Sequence, residues 1–222
     1  MISVILPTYN ESMNIREMIA RIKKSVPDAE IIVSDDNSPD KTWKVRGENV
    51  HVIRRMFNKG VGPAIWDGIK KAKGNILVWM DADLTMPPEL IPRMVKSLQE
   101  NDIVVGSRYV QGGKDKRSFI RVLTSRMINL FANLVLNFKV RDYDSGFIAA
   151  KREVLNTVGF QPKGHGEYCI EFLYKAGCKG YKIKEIGFVF TERKKGESKS
   201  AQYLSSILKY GVVYIKKILS LR

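Results

Sequence analysis

The chain has 222 residues, 44% of them hydrophobic, and a formal net charge of +15. This is enough for one α/β domain with a substantial core and too apolar for a disordered chain. Two cysteines, Cys169 and Cys178, and two isolated histidines, His51 and His165, exclude a disulfide framework and a zinc site, so a reduced, cytosolic setting is the expectation.

Ile2 to Leu6 reads as a strand leaving through Pro7-Thr8-Tyr9-Asn10, and Met1 leads straight into it with no leading signal peptide expected. A helix follows with Ile15, Met18, Ile19 and Ile22 on one face, and Asn10 or Ser12 is its expected cap. Strand Glu30 to Ser34 ends in an acidic turn, Asp35 to Asp40, and Val50 to Ile53 is a third strand. Gly60 and Gly62 open a helix reaching Ala72. Ile65 stands where a dinucleotide fingerprint needs its third glycine, so the pair reads as a loop feature.

Ile76 to Thr85 is the stretch around which the chain is organised. An apolar strand ends abruptly in Asp81 and Asp83, which places two carboxylates at the carboxyl edge of a sheet, where open α/β folds bind ligands. Carboxylates this close repel unless a cation joins them, and hard oxygen ligands suit Mg²⁺ or Mn²⁺. Helix Pro88 to Leu98 and strand Asp102 to Gly106 complete an alternation of strands and helices. That alternation predicts a mainly parallel sheet with helices on both faces.

The second half is less regular. Gly112-Gly113 with Lys114, Lys116 and Arg117 reads as a mobile basic loop. Ile120 to Phe138 reads as a long helix with an apolar face of Leu123, Met127, Phe131, Leu134 and Phe138. Its polar stripe is Arg121, Ser125, Asn129, Asn133 and Asn137, and it either packs on the domain or lies in a membrane surface. Asp142 to Phe147 is a third acidic turn, Glu167 to Ala176 a helix, and Tyr181 to Thr191 one or two strands. Arg193 to Lys199 is a basic segment, and Ala201 to Leu221 an amphipathic helix too interrupted by lysines to span a bilayer. That tail docks either on the core or on an anionic membrane. The expected division is a catalytic domain over residues 1–200, with a donor half to about 106 and an acceptor half from 107, and a C-terminal helix over 201–222.

PTYNE at Pro7 to Glu11, SDDNSPDKTW at Ser34 to Trp43, MDADL at Met80 to Leu84, GSRYVQGG at Gly106 to Gly113, RDYDSGF at Arg141 to Phe147 and GESK at Gly196 to Lys199 occur in this order. Together they resemble the inverting family-2 glycosyltransferases, and within them the polyprenyl-phosphate mannosyltransferases of the dolichol-phosphate mannose synthase type. The resemblance implies a glycosyltransferase-A type fold and transfer of mannose from GDP-mannose to dolichyl or another polyprenyl phosphate, with Mg²⁺ or Mn²⁺. It puts Pro7, Tyr9, Glu11, Val33 and Asp35 at the donor nucleotide. It puts Asp81, Ala82, Asp83 and Thr85 at the metal and diphosphate, with Asp81, Asp83 and Thr85 as ligands. Thr85 stands where relatives often carry Gln, and Phe119 where an aromatic Trp is expected. Arg108, Arg193 and Lys199 would meet the donor phosphates, and Arg108, Arg117, Arg121 and Ser125 the acceptor phosphate. Asp83 and Arg121 would be the catalytic pair. The implied location is peripheral, on the cytoplasmic side of a membrane, which leaves room for a membrane-anchoring partner subunit.

The charge of +15 also suits a basic nucleic-acid-binding protein, but no helix-turn-helix, zinc-finger or RNP signature is present and no nucleic-acid partner is expected. A sister enzyme using UDP-glucose on the same lipid, or a catalytically silent partner subunit, completes the alternatives.

Overall fold

The computed structural model describes residues 1–138, 140–160, 166–193 and 204–222, the side chains of 204–210 aside. The first half alternates as expected: β1 (Ile2–Thr8), α1 (Ile15–Ser25), β2 (Glu30–Asp35), β3 (Val50–Arg54), α2 (Val61–Lys71), β4 (Ile76–Trp79), α3 (Ile91–Ser97) and β5 (Ile103–Ser107). Then come β6 (Lys114–Asp115), α4 (Phe119–Leu136), β7 (Ile148–Lys151), α5 (Arg152–Val158), α6 (Glu167–Cys178), β8 (Ile183–Gly187), β9 (Val189–Phe190) and α7 (Leu204–Ser220). Seven strands form one sheet in the order β3-β2-β1-β4-β7-β5-β8.

All pairings in that sheet are parallel except those of β7, which runs antiparallel to β4 and β5. The central strands are mostly apolar because both faces are covered, whereas the edge strands β3 and β8 carry His51, Lys184 and Glu185. Ile5, Ile32, Leu77, Trp79, Ile103 and Ile148 face α2, α4 and α6. Val4, Leu6, Ile31, Val33, Val78 and Val104, one residue out of phase, face α1 and α3. β7 and α5 escaped the sequence reading. The strand, Ile148–Lys151, is only four residues long and directly precedes a helix.

Three local expectations change. α1 starts at Ile15 behind Asn14 rather than behind Asn10 or Ser12. The backbone N–H groups of Asn14 and Ile15 donate to the Glu11 carbonyl, while those of Asn10 and Ser12 are already engaged elsewhere. The loop around Gly112-Gly113, expected to be mobile, is tied down: Lys114 N donates to Phe188 O and Lys116 N to Phe190 O in a two-stranded sheet of β6 and β9.

The third concerns α4, open between packing on the domain and lying in a membrane surface: it packs on the domain, and does so through its polar stripe. Ser125, Ile128, Asn129, Ala132 and Leu136 are buried. Phe119, Ile120, Leu123, Met127, Leu130 and Leu134 are 46–78% exposed. The polar stripe points inward because it has partners there. Asn129 Oδ1 accepts from Tyr143 N at 2.7 Å, and Asn133 Nδ2 donates to the Val140 carbonyl at 2.8 Å. Among the described residues α4 is the one helix long and apolar enough to cross a membrane by composition, with a mean hydropathy of 1.4. It was not expected to be, and these inward bonds hold it along the domain instead.

α7 docks on the core. Ile218 is fully buried, and Lys217 Nζ meets Glu171 Oε2 at 2.7 Å. Its outer side still presents Val212, Ile215 and Leu219.

Candidate active site

The carboxyl ends of β1, β2, β4 and β5 share one edge of the sheet. Because β7 runs the other way, the turn entering it, residues 142–147, reaches the same edge. Antiparallel insertion thus brings the third acidic turn to the other two.

The acidic turn after β2, Asp35 to Asp40, holds the loop after β1. Asp35 is fully buried and accepts from Thr8 Oγ1 (2.9 Å), Ser38 N (2.8 Å) and Ser38 Oγ (2.5 Å). Ser38 Oγ in turn accepts from Asn10 N, Thr42 Oγ1 from Glu11 N and Asp40 from Ser12 N, each at 2.9 Å. Asp35 and Val33, expected at the donor base, are both 0% exposed, one inside this clamp and the other inside β2. What the clamp presents is Tyr9, 40% exposed beyond Pro7. Asn10 and Asn37 take left-handed backbone there, which asparagine tolerates well.

Beyond β4, Asp83 Oδ1 accepts from Thr85 Oγ1 (2.5 Å) and Thr85 N (3.1 Å). Leu84 between them has φ 67°, a strained conformation for a branched side chain, of the kind concentrated at functional turns. Thr85, expected as a third metal ligand, is buried and spends its hydroxyl fixing Asp83. Ala82 is buried in the core beneath the turn. The other oxygen of Asp83 receives Arg193 Nη2 at 3.2 Å, and the same nitrogen reaches Glu11 Oε1 at 2.5 Å. Lys199 lies outside the described residues. Burial, then the charges of Asp83 and Glu11, push Asp81 up to about 7.

Among the described residues no three acidic, His or Cys side chains form a metal cluster. The carboxylates at this edge that could hold a cation are Asp81 and Asp83. Asp81, raised by burial and by the charge of Asp83, and Asp83, which already draws a guanidinium, are the hard oxygen ligands that a divalent cation takes.

The third acidic turn surrounds Arg108. Its Nε and backbone N donate to Asp142 Oδ2 at 2.9 and 2.8 Å, and Nη2 donates to Asp142 Oδ1 at 2.5 Å and also to Asp144. Burial pushes Asp142 up to about 6. Burial also works to raise Asp144, yet Arg108 holds it below the usual carboxylate range. Arg108, expected on substrate phosphates, is 6% exposed and saturated by carboxylates because β7 delivers Asp142 beside the end of β5. Arg117 forms a two-pronged pair with Asp115 (2.9 and 2.6 Å). Ser125 Oγ donates to Asp144 at 3.0 Å, and Arg121 lies half-buried one turn earlier on α4.

A cavity of about 190 Å³ connects these groups, lined by Asp81, Arg108, Arg117, Asp144, Tyr168 and Tyr214 among others. The two tyrosines were missed by sequence reasoning, since a tyrosine inside a helical pattern carries no signal that it will face a site.

Residues 3–159 match the family described as glycosyl transferase family 2. The chain belongs to that family. It is 41% identical over 210 residues to the dolichol-phosphate mannosyltransferase of Pyrococcus furiosus, covering 89% of this chain and 58% of that protein. The chain thus spans little more than half of that relative's length. It is 32% identical over 210 residues to the polyprenol monophosphomannose synthase of Mycolicibacterium smegmatis, covering 88% and 79% of the two chains. The fold of this family 2 protein superposes on a glucosyl-3-phosphoglycerate synthase from Mycobacterium tuberculosis, solved with Mn²⁺, uridine diphosphate and phosphoglyceric acid. There the TM-score is 0.74 at 24% identity, over 99% of this chain and 78% of the other. The architecture is a single glycosyltransferase-A type α/β domain, with a mostly parallel central sheet.

Proposed function

We propose that the protein is a metal-dependent inverting glycosyltransferase that moves mannose from GDP-mannose to the phosphate of a membrane polyprenol such as dolichyl phosphate, releasing GDP. One relationship carries the reading. The inward face of α4 bonds, through Ser125, the Asp144 carboxylate that lines the cavity with Asp81, while its opposite face exposes Leu123, Met127, Leu130 and Leu134. A polar inner face beside the site and an apolar outer face suit a substrate whose polar head stops at the mouth of the cavity and whose tail is lipid. The names of the Pyrococcus and Mycolicibacterium relatives supply the sugar and the lipid class.

The acceptor phosphate has a second pKa near ~6 by analogy with phosphate monoesters, so it arrives as an anion and needs positioning more than deprotonation. Arg117 and Arg121 are suited to that task, guanidinium being matched to phosphate. Mg²⁺ or Mn²⁺ bound by Asp81 and Asp83 would neutralise charge on the leaving diphosphate. Glu11 and Thr85 keep Arg193 and Asp83 oriented around it. Tyr9 and the clamped loop offer the surface for the nucleotide. The exposed faces of α4 and α7 would seat the protein peripherally on the membrane.

A panel of radiolabelled sugar nucleotides with polyprenyl phosphate in vesicles tests this. Label from GDP-mannose is expected in the lipid phase with Mg²⁺ or Mn²⁺, and chelation should abolish it. Transfer from UDP-glucose instead would move the assignment to the sister reaction. No lipid-borne label from any donor would overturn it.

A further inference from the structure

The cavity beside Asp81 is small, about 190 Å³, below the roughly 300–1,000 Å³ of pockets that enclose a whole drug-sized ligand. It suits one ring of a larger substrate. Two carboxylates, Asp81 and Asp144, face it, which makes it unfavourable for a phosphate. Of the two arginines that also line it, Arg108 is bound by Asp142 and Asp144 and Arg117 by Asp115, so neither brings a surplus positive charge. A neutral polyol, by contrast, finds acceptors in the carboxylates, donors in hydroxyl groups and apolar surface in Met86 and Phe190.

The remaining wall comes from the far end of the sequence. Tyr168 sits on the first turn of α6. Tyr214 reaches in from α7, held by buried Ile218 one turn on and by the Lys217–Glu171 pair. The approach is close: a Cβ built on Gly166 would stand 2.1 Å from Tyr214 Oη, so any other residue there would displace the ring. Burial keeps both phenols well above their usual pKa, leaving each a hydroxyl that can donate and accept.

We infer that Tyr168 and Tyr214 are specificity-determining residues that hydrogen-bond the hydroxyls of the donor's sugar ring in this cavity. The C-terminal helix is then a wall of the active site as well as part of the outer surface. The inference rests on the reading of the site as one for a sugar nucleotide.

Titration calorimetry on the full chain with Mn²⁺ separates the two ideas, using GDP against GDP-mannose and UDP against UDP-glucose. Tyr214→Phe and Tyr168→Phe keep the packing and remove one hydroxyl each. For the sugar nucleotide that binds, each change should weaken affinity roughly three- to tenfold, the worth of one hydrogen bond, and leave the parent diphosphate within twofold. Gly166→Ala should reproduce the Tyr214→Phe effect by pushing the ring aside. Sugar nucleotide and diphosphate weakening together, or neither changing, would overturn the tyrosine assignment while sparing the glycosyltransferase reading. A wild-type protein that binds none of the four would overturn both.

Discussion

Arg193 and Asp83, 110 positions apart in sequence, meet at 3.2 Å, and the same guanidinium nitrogen is 2.5 Å from Glu11. A positive side chain thus stands where the acid pair calls for a cation. Metal entering beside Asp83 has to compete with it. Arg193→Gln should therefore strengthen Mn²⁺ binding in the absence of nucleotide. An ion pair of this kind is worth up to ~1 kcal/mol, or about fivefold in affinity. The same change should lower sugar transfer by removing a charge from the proposed donor site. Manganese titration by electron paramagnetic resonance reads the first effect, and unchanged or weaker binding would show that the arginine supports the metal site.

Asp81 illustrates the cost of assembling such a site. Its carboxyl is raised from 3.8 to about 7 by burial, Asp83 and Glu11, so without metal its ionised form opposes folding. Sign and window follow: the penalty is complete above pH 7, shrinks as pH falls and is gone below the unfolded pKa of about 3.9. Asp81→Asn should stabilise the metal-free protein by roughly 0.5–2 kcal/mol at pH 8, in line with relief of functional strain. It should also abolish turnover. Thermal melts at pH 8 and pH 4 check this, and an equal gain at both would disconnect it from the carboxylate charge.

Arg108 should behave unlike the other arginines. Its partners Asp142 and Asp144 are buried with it, and removing one member of such a pair leaves an uncompensated charge costing about 3–5 kcal/mol. Arg108→Ala should lower the melting temperature sharply. Arg121→Ala, at a half-buried position on α4, should lower it much less and raise KM for the lipid acceptor. Denaturant unfolding of the two variants, set beside their acceptor kinetics, distinguishes a structural from a substrate-facing guanidinium.

The contrast between these arginines marks where sequence stops being informative. The strands carrying Asp35, Asp81 and Arg108 were legible because each is an apolar run ending at a polar turn, and parallel pairing puts those ends on one edge. Burial of Asp35 and pairing of Arg108 were not legible. Both depend on non-local partners, Thr8 in one case and a turn delivered by β7 in the other. Motif matching assigns chemistry to a position without saying how much of its hydrogen-bonding capacity is already used. The placement of α4 stayed open for a related reason. Periodicity separates an apolar from a polar face, but which one turns inward depends on whether buried acceptors such as Asp144 and the Val140 carbonyl await the polar one.

The outward face of α4 gives the last prediction. Leu123, Met127 and Leu130 are 46–62% exposed, so replacing all three with Gln removes little from the core and should shift the melting temperature by no more than a degree or two. If the face sits in a bilayer surface, each side chain contributes roughly 1 kcal/mol of partial burial. The triple variant should then bind anionic vesicles about a hundredfold more weakly. Transfer to long-chain polyprenyl phosphate in vesicles should fall with it, while transfer to a short, water-soluble prenyl phosphate should persist, because the inward face with Ser125 and Asn129 is untouched. Deleting the C-terminal helix is a poorer test of the same idea, since it also removes Ile218 from the core and Tyr214 from the cavity. Vesicle flotation of the triple variant, with retention equal to wild type, would assign the exposed leucines to a protein partner instead of lipid.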